Sequence, residues 1–173
     1  MSTFRIALNA AFLLFIFVIQ ETVIASMHLP ITGFSLYLVV LIAIVLLENR
    51  IGAVILGFMG GLILDLSPAS QSPVGQWALI LTGVAYLISV NAENVDEIIS
   101  RPIGLGLFVA AGSALTLFLY LVMDGLLGRA TGSLGRDFLI IGGNFLWSAV
   151  ITPFLLPVLV LIRDTMIGSR ERI

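Results

Sequence analysis

The sequence predicts an all-α integral membrane protein, a bundle of six transmembrane helices with its N- and C-termini cytoplasmic. Three observations predict it. Of the 173 residues 60% are hydrophobic and only 10% charged, with a mean hydropathy of +1.17, more apolar surface than a soluble domain of this length can bury. Six apolar stretches follow one another, separated by short polar, Gly- or Pro-containing segments. The arginines are unevenly divided between those segments. With the N-terminus inside, Arg5, Arg50, Arg101, Arg163, Arg170 and Arg172 are cytoplasmic and only Arg129 and Arg136 lie outside, the asymmetry that orients membrane proteins.

The first stretch, Ile6 to Ile24, spans roughly 28 Å at ~1.5 Å per helical residue, close to the ~30 Å hydrocarbon core. Val23-Ile24-Ala25 resembles a cleavage site, but the apolar run is longer than the core of a signal peptide and only Arg5 precedes it. It reads as a retained helix. Gln20 and Glu21 near its end belong at the outer interface or against a neighbour. Phe34 to Leu47 (about 21 Å) and Ile51 to Leu66 (about 24 Å) are short for spans and need neighbours to shield their ends. Between them Glu48-Asn49-Arg50 reads as a tight turn bearing two surface charges. Val74 to Val90 (roughly 26 Å) and Ile103 to Met123 (about 32 Å) fit the bilayer, whereas Phe138 to Ile162 (about 38 Å) must tilt or kink. Pro153 and Pro157, on one face, are expected to bend it. No internal repeat and no soluble domain is evident, so residues 1–173 form one membrane domain and any activity lies in helices and short loops.

The most specific stretch runs from Ile51 to Trp77. Ala53, Gly57, Gly61 and Asp65 recur at four-residue spacing and share a helix face. Small residues so spaced let another backbone approach closely, either for packing within the bundle or to thin a recess for a partner with Asp65 at its rim. A carboxylate at a helix C-terminus is disfavoured by the dipole by ~0.3–1 kcal/mol, so Asp65 calls for a counterpart. Arg129, Arg136, backbone amides of the following turn and another protein are all open. Trp77, in the first turn of the fourth helix, sits where interfacial belt tryptophans lie. On the sixth helix Asn144, Ser148 and Thr152 repeat at the same spacing and are expected to make interhelical or backbone hydrogen bonds worth ~1 kcal/mol each.

Composition excludes several function classes. The net charge is −2 and every basic residue is arginine, so there is no basic face for nucleic acid and no lysine for Schiff-base or P-loop chemistry. There is no cysteine and one histidine, His28, which removes thiol nucleophiles and Cys- or His-rich metal sites. No G-x-S-x-G, H-E-x-x-H or intramembrane carboxylate pair is present. Neither catalysis nor a cofactor is expected; membrane lipids surround the chain.

The chain resembles the bacterial rod shape-determining protein MreD family, most closely its actinobacterial branch. The matching residues are Gln20, the run from Gly57 through Gly60, Gly61 and Asp65 to Leu66, and Val74-Gly75-Gln76-Trp77-Ala78-Leu79 followed by Ala85-Tyr86-Leu87. Where many members open the second span with a Pro-Asp pair, this chain has Phe34-Ser35-Leu36. The resemblance implies a non-enzymatic scaffold of the cell-elongation complex that binds MreC and connects to MreB, RodA and the class B penicillin-binding protein in peptidoglycan synthesis. It makes Gly57, Gly60, Gly61, Asp65, Gly75, Gln76 and Trp77 the candidate partner-binding residues. That family is similar in fold to the S components of energy-coupling-factor vitamin transporters. They supply the alternative, a substrate-capture subunit docking through Ala7-x-x-x-Ala11.

Overall fold

The computed structural model describes residues 3–24, 34–67, 72–91, 102–129 and 133–168. These are helical apart from short turns, with no strand among them. The helices are α1 (Thr3–Ile19), continued by a π-helical turn (Gln20–Ile24), α2 (Leu36–Leu47), α3 (Arg50–Asp65), α4 (Gln76–Val90), α5 (Pro102–Leu126) and α6 (Leu134–Gly168). The first five agree with the expected stretches to within about a turn. The sixth runs further at both ends and is continuous through Pro153 and Pro157. His28 and the acidic Glu93, Asp96 and Glu97 lie outside the described residues.

The segments Arg5–Val23, Ile103–Leu126 and Gly135–Leu155 are long and apolar enough to cross a membrane, while α2 and α4 are shorter apolar helices. Large apolar side chains point outward along the bundle, among them Phe15, Phe58, Leu79, Leu107, Phe118 and Leu146. This architecture is compatible with a helical membrane protein.

α2 is the centre. Its twelve residues, LYLVVLIAIVLL, are apolar on every side, and Tyr37 through Val45 are buried without a break. A helix with no polar face has no side to give to water. It touches each of the other five helices. Around it the closest pairings are the antiparallel hairpins α3–α4 and α5–α6.

An all-apolar helix gains no rotational preference from its own side chains, and α2 is held instead by polar groups at its ends. At its start, Ser35 accepts from the Leu38 amide at 3.3 Å, and Gln20 Oε1 accepts from the Leu36 amide at 2.8 Å and the Tyr37 amide at 3.4 Å. Gln20 therefore lies against a neighbouring helix, one of the two places open to it. At the other end Glu48 is only 7% exposed. It pairs with Arg5, whose Nε donates to Oε1 at 3.1 Å, and accepts from Asn9 Nδ2 at 3.0 Å. The expectation of a simple surface charge at Glu48 is thus corrected: α1 folds back over the α2–α3 turn and supplies its counter-charge. Arg50, the other charge of the turn, is exposed and donates to the Tyr86 hydroxyl at 3.0 Å.

Because Glu48 has two donors from α1 and little solvent, removing its carboxylate strands Arg5 and Asn9. Glu48→Ala is expected to lower stability in detergent by about 1–3 kcal/mol. Glu48→Gln, which still accepts from Asn9, should lose less. Thermal melting of the purified variants checks the order.

Candidate functional site: the α3–α4 hairpin

Gly57 and Gly61 face α4. A Cβ on Gly61 would lie 2.3 Å from Ala78 Cα, and one on Gly57 would lie 2.7 Å from both Leu81 O and Ala85 Cβ. With Ala53 and Asp65 buried on the same face, this stripe is the α3–α4 contact, at backbone-to-backbone distance. Of the two readings of the stripe, packing within the bundle is the one present: α4 of the same chain fills the space a recess for a partner helix would need. Gly60 faces the other way, towards α2. Its carbonyl accepts from the buried Tyr37 hydroxyl at 2.8 Å, and a Cβ there would meet the methyl ends of Leu41.

Close approach determines what Asp65 does. Helix α4 starts inside the bundle, and its cap residue Gly75, at φ +99°, has no side chain to offer the first free amides. Asp65 supplies it from the end of the previous helix. Its Oδ1 accepts from the Trp77 amide at 3.0 Å, and its Oδ2 accepts from the Gly75 and Ala78 amides at 3.0 Å each. Of the open counterparts for Asp65, backbone amides are the ones present. The carboxylate opposes the dipole of α3 but sits at the positive end of α4, which offsets the cost. Gly75 itself takes a left-handed conformation that an L side chain rarely adopts.

Gln76 and Trp77 turn from this clamp to α5. The Trp77 ring stacks on Tyr120, centroids 4.3 Å apart and planes at 20°. It is thus an interhelical contact, half-buried, and not the free interfacial anchor its position in sequence suggests. Gln76 is 5% exposed, and its Nε2 donates to Asp124 Oδ1 at 2.9 Å. The other Asp124 partner is Arg129, whose Nη1 lies 3.5 Å from the same oxygen. The seven expected site residues thus share one hairpin, but in three roles. Gly57, Gly61, Asp65 and Gly75 join α3 to α4, Gly60 serves α2, and Gln76 and Trp77 reach α5.

Tyr120 and Asp124 were not singled out by sequence reasoning. The available signal was an acid in the last turn of an apolar span with a tyrosine one turn before it. The hydroxyl ladder of α6 was partly legible. Thr152 Oγ1 donates to Ser148 O, and Ser148 Oγ donates to Asn144 Oδ1 at 3.3 Å. Its interhelical partner is Ser113 on α5, whose Oγ donates to Ser148 Oγ at 3.3 Å. Ser113, Thr116, Asn144, Ser148 and Thr152 are all fully buried.

Comparison with protein-family models, curated proteins and solved structures finds no match.

Two sets of variants follow from this geometry. Asp65→Ala leaves three amides at a buried helix start without an acceptor and is expected to cost about 2–3 kcal/mol. Asp65→Asn should fall between it and the wild type. For the glycines the expected order of destabilisation is Gly61→Ala, then Gly57→Ala, then Gly60→Ala. The first meets backbone, the second backbone and a short side chain, the third the flexible end of Leu41 and, at 3.3 Å, the Tyr37 hydroxyl. Gly83→Ala, with open space around it, should be neutral or slightly stabilising through helix propensity. Thermal unfolding of the six variants in one detergent tests both sets.

Proposed function

We propose that this chain is a non-enzymatic scaffold of the bacterial cell-elongation complex in the cytoplasmic membrane, crossing it six times with both termini inside. In this reading it binds MreC directly and supports peptidoglycan synthesis with MreB, RodA and the class B penicillin-binding protein. The observation that carries it is that the MreD-like residues work as one unit. Gly57, Gly61, Asp65 and Gly75 lock two helices together, and Gln76 and Trp77 couple that pair to a third, which is how a rigid platform is built. Asp65 uses both oxygens on backbone amides, the behaviour of a clamp. The arginine distribution supports the orientation.

The filled glycine face moves the docking surface to the outside of the bundle. There α1 turns Ala7 and Ala11 outward, followed by Leu14, Phe15 and Val18, and exposed small residues at this spacing admit a second membrane helix. The same exposed pair favours a second reading, a substrate-capture subunit of an energy-coupling-factor transporter that docks through Ala7 and Ala11.

Native mass spectrometry of the protein purified with and without co-expressed MreC separates the two. Retained MreC is the expected result; a stoichiometric vitamin-sized ligand with no retained MreC would replace the scaffold reading with the transporter one. The double variant Ala7→Leu/Ala11→Leu should reduce retained MreC about tenfold or more, a loss of ~1.4 kcal/mol in the contact, without lowering the melting temperature. Depletion of the protein is expected to widen cells and disperse new wall insertion.

A further inference from the structure

The α4–α5 contact leaves an electrostatic account unclosed. Gln76 is 5% exposed, yet its Oε1 is buried with no hydrogen-bond partner. Its orientation is set by Asp124, because the carboxylate takes the Nε2 donor; reversing the amide would set oxygen against oxygen. An acceptor left in this condition costs about 1–3 kcal/mol. The other buried side-chain atom without a partner among the described residues is also an acceptor, Asp137 Oδ2, in the first turn of α6. What the structure lacks is donors. MreD-like scaffolding does not call for this arrangement, so the inference stands apart from the proposed function.

The geometry points to a binding site for a primary ammonium group at Gln76 and Asp124, supplied by the headgroup of an aminophospholipid. Four observations define the ligand. It must satisfy Gln76 Oε1, an acceptor, and an N–H donor does so directly. It must tolerate a carboxylate beside it, which selects a cation, and Asp124, with 17% of its side chain exposed, gives the approach from the surface. Its position is at headgroup depth, because Asp124 lies in the last turn of the membrane-length segment Ile103–Leu126 and Gln76 opens α4. Finally, a cation of the protein stands just outside: Arg129 reaches Asp124 at 3.5 Å with 36% of its side chain exposed, where it can pair with a phosphate linked to the ammonium. The stacked Trp77 and Tyr120 rings join the same two helices.

The test is native mass spectrometry of the full chain in detergent with phosphatidylethanolamine, phosphatidylcholine or phosphatidylglycerol added at equal concentration. Phosphatidylcholine keeps the positive charge but has no N–H, and phosphatidylglycerol has no ammonium. Phosphatidylethanolamine is expected to be retained roughly three- to tenfold more than either, the ratio that one hydrogen bond of ordinary net strength gives. Gln76→Leu and Asp124→Asn should each abolish that preference. Equal retention of the three lipids by the wild type would overturn the proposal and leave Gln76 to a buried water. A phosphatidylethanolamine preference unchanged in both variants would overturn the assignment to this site. Should a variant fail to fold, the comparison of lipids on the wild type decides.

Discussion

A helix that begins inside an apolar bundle presents amide groups that neither water nor its own backbone can satisfy. At the start of α4 that debt falls on one side chain, Asp65, which meets three amides at 3.0 Å each. Reaching them demands that α3 and α4 nearly touch, and Gly57 and Gly61 are what permit it. The stripe of small residues and the acid at its end are therefore one device. Glycines set the distance, the carboxylate uses it, and Gly75, with no side chain of its own, turns the chain so that the amides face back.

The same problem recurs around α2 with different parts. In lipid, apolar surface gives little driving force for one helix to choose another, so specificity falls to close packing and polar contacts. A helix apolar on all sides, as α2 is, has only its ends and one hydroxyl to be recognised by. Gln20 and Ser35 take the amides at its start, the Arg5–Asn9–Glu48 cluster holds its finish, and Tyr37 reaches the Gly60 carbonyl. This chain has no Pro-Asp pair at that start. Ser35 caps α2, and Gln20, in the π-helical turn that continues α1, adds the second acceptor.

Helices were legible in the sequence because apolar runs between breakers define them without reference to tertiary structure. Ile51 to Leu66 and Arg50–Asp65 differ by one residue at each end. The face of α3 was legible too, since four-residue spacing fixes which residues align. Its occupant was not: Gly57 and Gly61 state that something comes close, and only the return of the chain through Gly75 shows that it is α4. Glu48 was misread for a related reason. Its nearest charge in sequence, Arg50, is on the wrong side of the turn, while its true counterpart, Arg5, lies forty-three residues away. Trp77 illustrates the limit again, as its position in sequence suggests an interfacial anchor whereas a tyrosine on another helix takes its ring.

The two outer hairpins solve one task by opposite means. Between α3 and α4 side chains are removed, so that backbones touch; between α5 and α6 hydroxyls are added, so that Ser113 bonds Ser148 across the gap. The second solution includes a proline. Pro153 has no N–H for the Ala149 carbonyl, and a Cβ on Gly106 of α5 would lie 3.1 Å from that oxygen. Glycine there leaves room for α5 to lie close to the carbonyl that has no Pro153 N–H to accept from. Both hairpins are thus held by short-range contacts that do not depend on water. The exposed residues of α1, with Ala7 and Ala11 turned outward, make no such contact with the bundle. In the proposed scaffold reading, partner choice can change on that surface without disturbing either lock.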